Sequence, residues 1–332
     1  MPGEFHDFGL SPVAVEFKTG DGDDTLVGSF FCDYFRSHGG HDLIYSGNGH
    51  DTVEAGGGND LVFAGEGDDV VFGEAGDDAL VGDLGDDILH GGDGHDRLFG
   101  NDGRDILSGG FDNDLLDGGE GNDILYGDGG ADTLLGGEGN DLAFAGVGDD
   151  VVLGEGGDDA LVGDLGDDIL RGGDGHDRLF GNDGRDRLNG GIGADSLVGG
   201  SGADSLSGGA DPDNFRLNNL SESMLGAPGA YRFDTITDYQ AGDVLASASV
   251  SSPTVITAIT GTIGSLNASA VSSLLTASVL TANAVRAFQV SGWSGTFVAF
   301  NDGVAGFNSS SDGLVFLQNY NLVLASYPIQ IT

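Results

Sequence analysis

The sequence predicts an all-β fold, a solenoid of short parallel strands that continues into a smaller, mainly-β C-terminal region. Two observations support this prediction. A nonapeptide recurs 22 times in one unbroken frame from Thr19 to Arg216. Glycine supplies 64 of the 332 residues, whereas proline, which interrupts stacked strands, occurs only 6 times. Repeats at a fixed short period are the signature of a solenoid, in which each unit packs only on its neighbours.

Two positions of the nonapeptide are constant in kind. The sixth is Asp in every repeat and the eighth is always apolar; in the first repeat they are Asp24 and Leu26. Because successive strand residues point to opposite faces, positions seven to nine predict a three-residue strand whose apolar middle residue faces the core. The other six residues, with glycine favoured at positions two and four, predict a turn, since glycine adopts positive φ without strain.

The charge of the chain predicts a cation. Asp and Glu number 55 against 11 Lys and Arg, a formal net charge of −44. Such a chain repels nucleic acids and anionic membrane surfaces, and its self-repulsion opposes compaction. A stacked column of carboxylates would be strongly repulsive without a counter-charge. Ca²⁺ takes six to eight oxygen ligands, backbone carbonyls included, and would supply that counter-charge.

The repeat reads G-G-x-G-x-D-x-U-x, where U is apolar, and it resembles the RTX (repeats-in-toxin) family of calcium-binding proteins. The resemblance implies a right-handed parallel β-roll with two nonapeptides in each coil, hence about 11 coils. It also implies roughly 20 calcium ions between successive turns, held by Asp carboxylates and turn carbonyls. The carboxylates expected to bind calcium are those of Asp24, Asp42, Asp51, Asp60, Asp69, Asp78, Asp87, Asp96, Asp105, Asp123, Asp132, Asp141, Asp150, Asp159, Asp168, Asp177, Asp186, Asp195 and Asp204.

Three repeats lack glycine at the fourth position. The residues found there are Phe31, Asp112 and Asp211. A positive φ at the bulky Phe31 would be strained. We therefore expect weaker or missing calcium sites at the sixth residues of these repeats, which are Asp33, Asp114 and Asp213.

A longer duplication overlies the nonapeptides. The block from Asp68 to Asp105 recurs as Asp149 to Asp186 with three differences, at an offset of nine nonapeptides. Nine is an odd number, so two nonapeptides per coil would bring the second copy to the opposite face. This disfavours a function that needs one dedicated face. The outward seventh residues also form no threonine ladder, which argues against ice binding.

Many outward residues in the middle of the array are apolar, such as Leu61 and Phe63. Two interpretations stay open: like residues pack in ladders between neighbouring strands, or they form a surface for the terminal region or a second copy. Histidines recur at the variable fifth position, without Cys or His partners at zinc-ligand spacing, and are interpreted as solvated turn residues. They are His41, His50, His95 and His176.

The composition divides the chain into a lead-in (1–18), the calcium-binding roll (19–216) and a C-terminal region (217–332). The segment Phe233 to Leu245 is similar to an element that follows many RTX arrays, and predicts a cap. Its Asp234, Asp238 and Asp243 either add a calcium site or form a polar cap. Further on, the pattern is compatible with a helix over Ser265–Val285 and predicts four strands and a hairpin turn. They are Ala287–Val290, Thr296–Phe300, Leu314–Gln318 and Leu322–Ala325, with the turn at Asn301-Asp302-Gly303.

The ends of the chain bear on its destination. The lead-in has no basic and apolar leader, and no apolar run is long enough to span a membrane. Phe297 to Tyr320 resembles tails of cyanobacterial surface RTX proteins. This resemblance implies an extracellular or cell-surface protein exported by type I secretion machinery through an uncleaved C-terminal signal. The single Cys32 excludes an intramolecular disulfide.

The sequence favours a non-enzymatic protein that folds on binding extracellular calcium. No H-E-x-x-H or G-x-S-x-G motif occurs. The region after residue 217 contains one Glu, Glu222, and no His. The alternatives are an RTX exotoxin or bacteriocin, and a repeat-bearing remnant of an exoenzyme. Self-association or binding to a surface partner is compatible with each of them.

Overall fold

The computed structural model describes residues 5–7, 16–217, 235–238, 244–247, 257–263, 285–290, 295–300 and 313–318. Every regular element in these residues is a β-strand. No helix in this part of the chain is long and apolar enough to cross a membrane. The chain divides into two compact units, Met1–Leu165 and Gly166–Thr332, and each is described by itself.

The described residues of the first unit form 18 strands. They are β1 (Phe5–Asp7), β2 (Glu16–Lys18), β3 (Thr25–Val27), β4 (Tyr34–Arg36), β5 (Leu43–Asn48), β6 (Thr52–Gly57), β7 (Leu61–Glu66), β8 (Val70–Ala75), β9 (Ala79–Leu84), β10 (Ile88–Asp93), β11 (Arg97–Asp102), β12 (Ile106–Phe111), β13 (Leu115–Glu120), β14 (Ile124–Gly129), β15 (Thr133–Glu138), β16 (Leu142–Val147), β17 (Val151–Gly156) and β18 (Ala160–Leu165).

Strands that are two apart in sequence pair in parallel, so odd-numbered strands form one sheet and even-numbered strands the other. Paired residues are two nonapeptides apart: Leu98 lies beside Leu116 in the odd sheet, and Leu107 beside Leu125 in the even sheet. One coil is therefore two nonapeptides. This confirms the predicted parallel β-solenoid, in which the 22 repeats make about 11 coils.

The strands are longer than predicted. From β5 onward they span six residues, positions seven to nine of one repeat and one to three of the next. The prediction of a three-residue strand and a six-residue turn was therefore wrong. The reason is that the ladder between coils continues through the glycines: Gly92 pairs with Gly110 although both have positive φ. Glycine at position two thus bends a strand whose ladder continues.

The core of each coil is a column of eighth-position side chains. Residues such as Leu89, Leu107 and Leu125 are fully buried. The first position, usually glycine, also faces inward. The column begins before the recognised repeats, because β2 pairs with β4 and the ring of Phe17 stacks on that of Phe35 at 4.5 Å.

In the second unit, the residues that the structure describes form 12 strands. They are β19 (Ile169–Asp174), β20 (Arg178–Gly184), β21 (Arg187–Ile192), β22 (Ser196–Gly202), β23 (Ser205–Ala210), β24 (Asn214–Leu217), β25 (Thr235–Ile236), β26 (Val244–Ser247), β27 (Thr257–Ile263), β28 (Val285–Val290), β29 (Gly295–Phe300) and β30 (Gly313–Gln318).

Within this unit, paired residues are again two nonapeptides apart up to β24, and the topology then changes. β25 and β26 extend the odd and even sheets in parallel, and Ile236 is fully buried beside Leu206. β28, β29 and β30 pair antiparallel and correspond to three of the predicted C-terminal strands. Residues 301–312 connect β29 to β30. The helix over 265–285, the strand over 322–325 and the hairpin turn at 301–303 fall outside the described residues.

Candidate metal sites

The sixth-position aspartates form two buried columns, one on each side of the solenoid where the turns connect the two sheets. In the described repeats, none of these side chains is more than 4% exposed. One carboxylate oxygen is used within the column: the backbone N–H of Asp87 donates to Oδ1 of Asp105, and the N–H of Asp105 donates to Oδ1 of Asp123, both at 2.8 Å. In the second unit the N–H of Asp186 donates to Oδ1 of Asp204 at 2.9 Å. Each coil thus fixes the aspartate of the next.

The other oxygen, Oδ2, is buried without a hydrogen bond at most of these positions. In the described structure this holds for Asp51, Asp60, Asp69, Asp78, Asp87, Asp96, Asp105, Asp114, Asp123, Asp132, Asp141, Asp186 and Asp195. Two other repeats differ, since Oδ2 of Asp33 accepts the N–H of Ser29 at 2.7 Å and Oδ2 of Asp42 accepts the Ser37 hydroxyl. A buried acceptor without a donor is costly, so the column of Oδ2 atoms fits a bound cation.

Where the first position is glycine, a carbonyl oxygen lies close to most of these atoms. At Gly100, an added Cβ would lie 2.6 Å from the carbonyl oxygen of Gly118 and would overlap Oδ2 of Asp105. The same arrangement recurs one coil on at Gly118, with Gly136 and Asp123. The first-position glycine therefore keeps a carboxylate oxygen and a carbonyl oxygen facing one unfilled space.

Burial raises the pKa of these carboxyls, because the charged form loses hydration. Desolvation raises the pKa of Asp60 and Asp69 to about 8 and that of Asp105 and Asp123 to about 7. The backbone N–H donated by the aspartate of the preceding coil lowers the pKa, and the negative charge of neighbouring carboxylates raises it further. The ion-free column therefore favours protons, and a cation that binds there at neutral pH displaces them.

The donor set fits a hard cation. Carboxylate and carbonyl oxygens are the ligands of Ca²⁺. No group of three His, Cys, Asp or Glu side chains suited to a metal occurs among the described residues. A site here would combine the single carboxylate of each repeat with backbone carbonyls.

The three repeats without glycine at the fourth position differ from one another in backbone conformation. Phe31 has no positive φ, so the strain expected from its side chain is avoided, whereas Asp112 and Asp211 keep positive φ values of 69° and 74°. Asp114, beside Asp112, has the same unpaired Oδ2 and a pKa raised to about 7. Its surroundings match those of the regular repeats, and the expectation of a weaker site there stays a prediction.

His and Asp side chains at the variable fifth position share a role in the ladder. Nδ1 of His50 accepts the backbone N–H of Asp68 at 2.7 Å, and Oδ1 of Asp68 accepts that of Asp86 at 3.1 Å. Nδ1 of His176 likewise accepts the N–H of Ala194 at 2.9 Å. The histidines are exposed turn residues, as predicted, and they hydrogen-bond the adjacent coil.

Asp238 caps β23 in the second unit. Its carboxylate accepts the Ser207 hydroxyl at 2.7 Å and the N–H groups of Gly208 and Gly209 at 3.0 and 2.8 Å. These donors belong to β23, the last strand of the repeats in the odd sheet. Of the two alternatives for this residue, the structure favours the polar cap. Asp234 and Asp243 lie outside the described residues.

Comparison with known families decides what this array is. The model of the RTX calcium-binding nonapeptide repeat matches overlapping segments from residue 19 to residue 215, more than half of the chain. The chain belongs to this family. Its RTX repeats form a structural calcium-binding fold, and calcium is the cation that the family description gives for it.

Two solved structures resemble the RTX chain. One is the AlgE6R3 subunit of the Azotobacter vinelandii mannuronan C5-epimerase, 26% identical, with 49% of this chain and 71% of that chain covered and a TM-score of 0.21. The other is a hyperactive, Ca²⁺-dependent, β-helical antifreeze protein from an Antarctic bacterium, 20% identical, with coverage of 72% and 85% and a TM-score of 0.30. Neither likeness supports a statement about activity. No curated protein matches the chain.

Proposed function

We propose that this RTX protein is an extracellular or cell-surface protein whose solenoid folds when it binds calcium, and that its role is structural or adhesive and not catalytic. The observation that carries the proposal is the buried column of aspartates whose Oδ2 atoms have no donor. The proposed ligands are the sixth-position aspartates, completed by turn carbonyls. Asp33 and Asp42, whose Oδ2 atoms already accept hydrogen bonds, are the least favourable of them.

Calcium binding and folding of this chain are thermodynamically coupled. Without ions, folding must bury a carboxylate in each repeat of a chain that carries a net charge of −44, and this opposes compaction. Roughly 20 bound Ca²⁺ ions would carry a charge near +40 and would bind the folded state only. Calcium then stabilises the folded state by mass action.

This coupling suits export. At the low calcium level of a cytosol the chain stays unfolded and competent for type I secretion, and it folds in millimolar calcium outside. The proposed arrangement is a lead-in (1–18), the roll (19–216) and a C-terminal cap and secretion region (217–332). The cap contact of Asp238 with β23 supports the boundary near residue 217.

The test is a calcium titration of the purified chain, followed by far-UV circular dichroism, with magnesium as the matched control. We expect a cooperative change from coil to β-structure at submillimolar to millimolar calcium and no change with magnesium, which keeps its own water ligands and octahedral geometry. A chain that is fully folded in chelator would overturn the proposal.

A further inference from the structure

Basic charge is concentrated in the last repeats. Residues 16–165 contain 37 acidic and 4 basic residues, whereas residues 166–217 contain 10 acidic and 5 basic residues. Six of those ten acids are the buried sixth-position aspartates, which calcium would neutralise. When the ions are bound, this segment therefore presents more exposed positive than negative charge, unlike the repeats before it.

A comparison of the two copies of the duplicated block shows which residues add the basic charge. Over the whole block they differ at only three positions, and one of these differences is His90 against Arg171. The position just after the block also gains an arginine in the second copy, with Ile106 in the first and Arg187 in the second. Burial lowers the pKa of His90, which stacks on Phe72, so the first copy is uncharged here at neutral pH. Both differences add a positive charge to the second copy.

In the second unit these arginines lie on one sheet face. Ile169 of β19 pairs with Arg187 of β21, and Arg171 pairs with Asn189, so the two guanidinium groups project from adjacent strands. Arg171, Arg187 and Asn189 are all exposed. Arg185, in the turn before β21, lines a cleft together with Arg187, the exposed Asp167 and the sixth-position Asp168 and Asp186, which bound calcium would neutralise. We define Arg171, Arg185, Arg187 and Asn189 as the cationic patch.

The arginines of this patch form no ion pair among the described residues. The first copy again provides the contrast. Arg104, the counterpart of Arg185, contacts Asp86 through its guanidinium. In the second copy the backbone N–H of Arg185 donates to Oδ1 of the corresponding Asp167 at 2.9 Å. Three guanidinium groups are therefore available to an external anion.

We propose that the cationic patch binds a carboxylate-bearing polysaccharide, and the proposal rests on the calcium-loaded fold described above. Arginine binds carboxylates in bidentate fashion, and the Asn189 amide and Ser205 hydroxyl add donors and acceptors for sugar hydroxyls. The outward residues of the face form a strip only two side-chain columns wide, about 7 Å, with the exposed Asp167 and Asp174 at its edges. A thin, linear polyanion fits this strip, whereas a duplex or a bilayer surface would also contact the acidic edges.

The test measures binding of hyaluronan to the full chain in calcium, with neutral dextran and phosphatidylglycerol vesicles as comparison ligands. The variant R171H/R187I restores the residues of the first copy, and Arg97→Ala removes an exposed arginine outside the patch. We expect R171H/R187I to weaken hyaluronan binding by about tenfold or more and Arg97→Ala to leave it unchanged. Added salt should weaken wild-type binding.

Circular dichroism in calcium separates the two proposals. R171H/R187I should fold at the same calcium concentration as the wild type, since these side chains point outward. Equal hyaluronan binding by wild type and R171H/R187I, no binding by folded wild type, or binding to vesicles in place of hyaluronan would overturn the patch proposal. Complete folding in chelator at neutral pH would overturn the calcium proposal instead, whatever the result with hyaluronan.

Discussion

Neighbouring glycines in β6 and the following turn offer a matched pair of substitutions, Gly58→Ala and Gly57→Ala. Gly58, at a fourth position, has a φ of 124°, and an added Cβ would overlap the carbonyl group of Gly40 in the adjacent coil. Gly57 has an ordinary φ, and its Cβ would lie 3.7 Å from the nearest atom, the carbonyl oxygen of His38. The two variants add the same methyl group one residue apart.

The expected cost follows from these contacts. Positive φ at a residue with a Cβ costs about 1–2 kcal/mol, and displacing the adjacent coil costs about 1–3 kcal/mol. Gly58→Ala should therefore lower the free energy of unfolding by about 2–5 kcal/mol. Gly57→Ala should change it by less than about 1 kcal/mol, and in the stabilising direction, because alanine restricts the unfolded chain.

Urea unfolding at a fixed millimolar calcium concentration is the appropriate assay. If roughly 20 ions bind on folding, a loss of about 3 kcal/mol shifts the calcium midpoint by only about 1.3-fold, which a calcium titration resolves poorly. The same loss should lower the urea midpoint by about 1–2 M. Equal urea midpoints for Gly58→Ala and Gly57→Ala would refute the claim that the close contact with Gly40 requires glycine at residue 58.

Three further predictions concern the columns. In chelator, the buried aspartates have pKa values of about 6 to 8 in the folded chain against 3.8 in the unfolded chain, so protonation at low pH stabilises the folded state. This stabilisation is lost as the pH rises through the folded-state pKa values. β-structure measured by circular dichroism in chelator should therefore increase from pH 8 to pH 5. Asp105→Asn should reduce the number of calcium ions bound in equilibrium dialysis, whereas Asp102→Asn, at an exposed third position, should not. Leu107→Ala should cost about 2–5 kcal/mol in urea unfolding, and equal destabilisation by Ile106→Ala, on the outward face, would contradict the assigned core.

The sequence predicted the two columns that define the fold because their residues are chemically constant. The sixth position, as at Asp105, is always aspartate, and the eighth position, as at Leu107, is always apolar. Both side chains are buried as expected. The length of the strands was missed because their second half is rich in glycine, which has low β-propensity. Backbone pairing such as Gly92 with Gly110 extends the strands without help from side chains.

The role of the fifth position was missed for a different reason. His50 and Asp68 differ in charge and shape, so the position looks unconstrained. Both accept a backbone N–H from the next coil, and only hydrogen-bond chemistry unites them. The unpaired Oδ2 atoms and the cationic patch likewise depend on burial and on neighbouring coils, which a linear pattern does not report.

The coil of two nonapeptides has a consequence for how such arrays evolve. Gain or loss of a nonapeptide pair by recombination preserves every outward side chain on its face, whereas gain or loss of a single nonapeptide transfers all later ones to the opposite face. The aspartate columns are the same on both edges and tolerate either event. Metal binding is therefore insensitive to the parity of repeat number, while a surface feature such as Arg171 and Arg187 is inherited intact only through even steps.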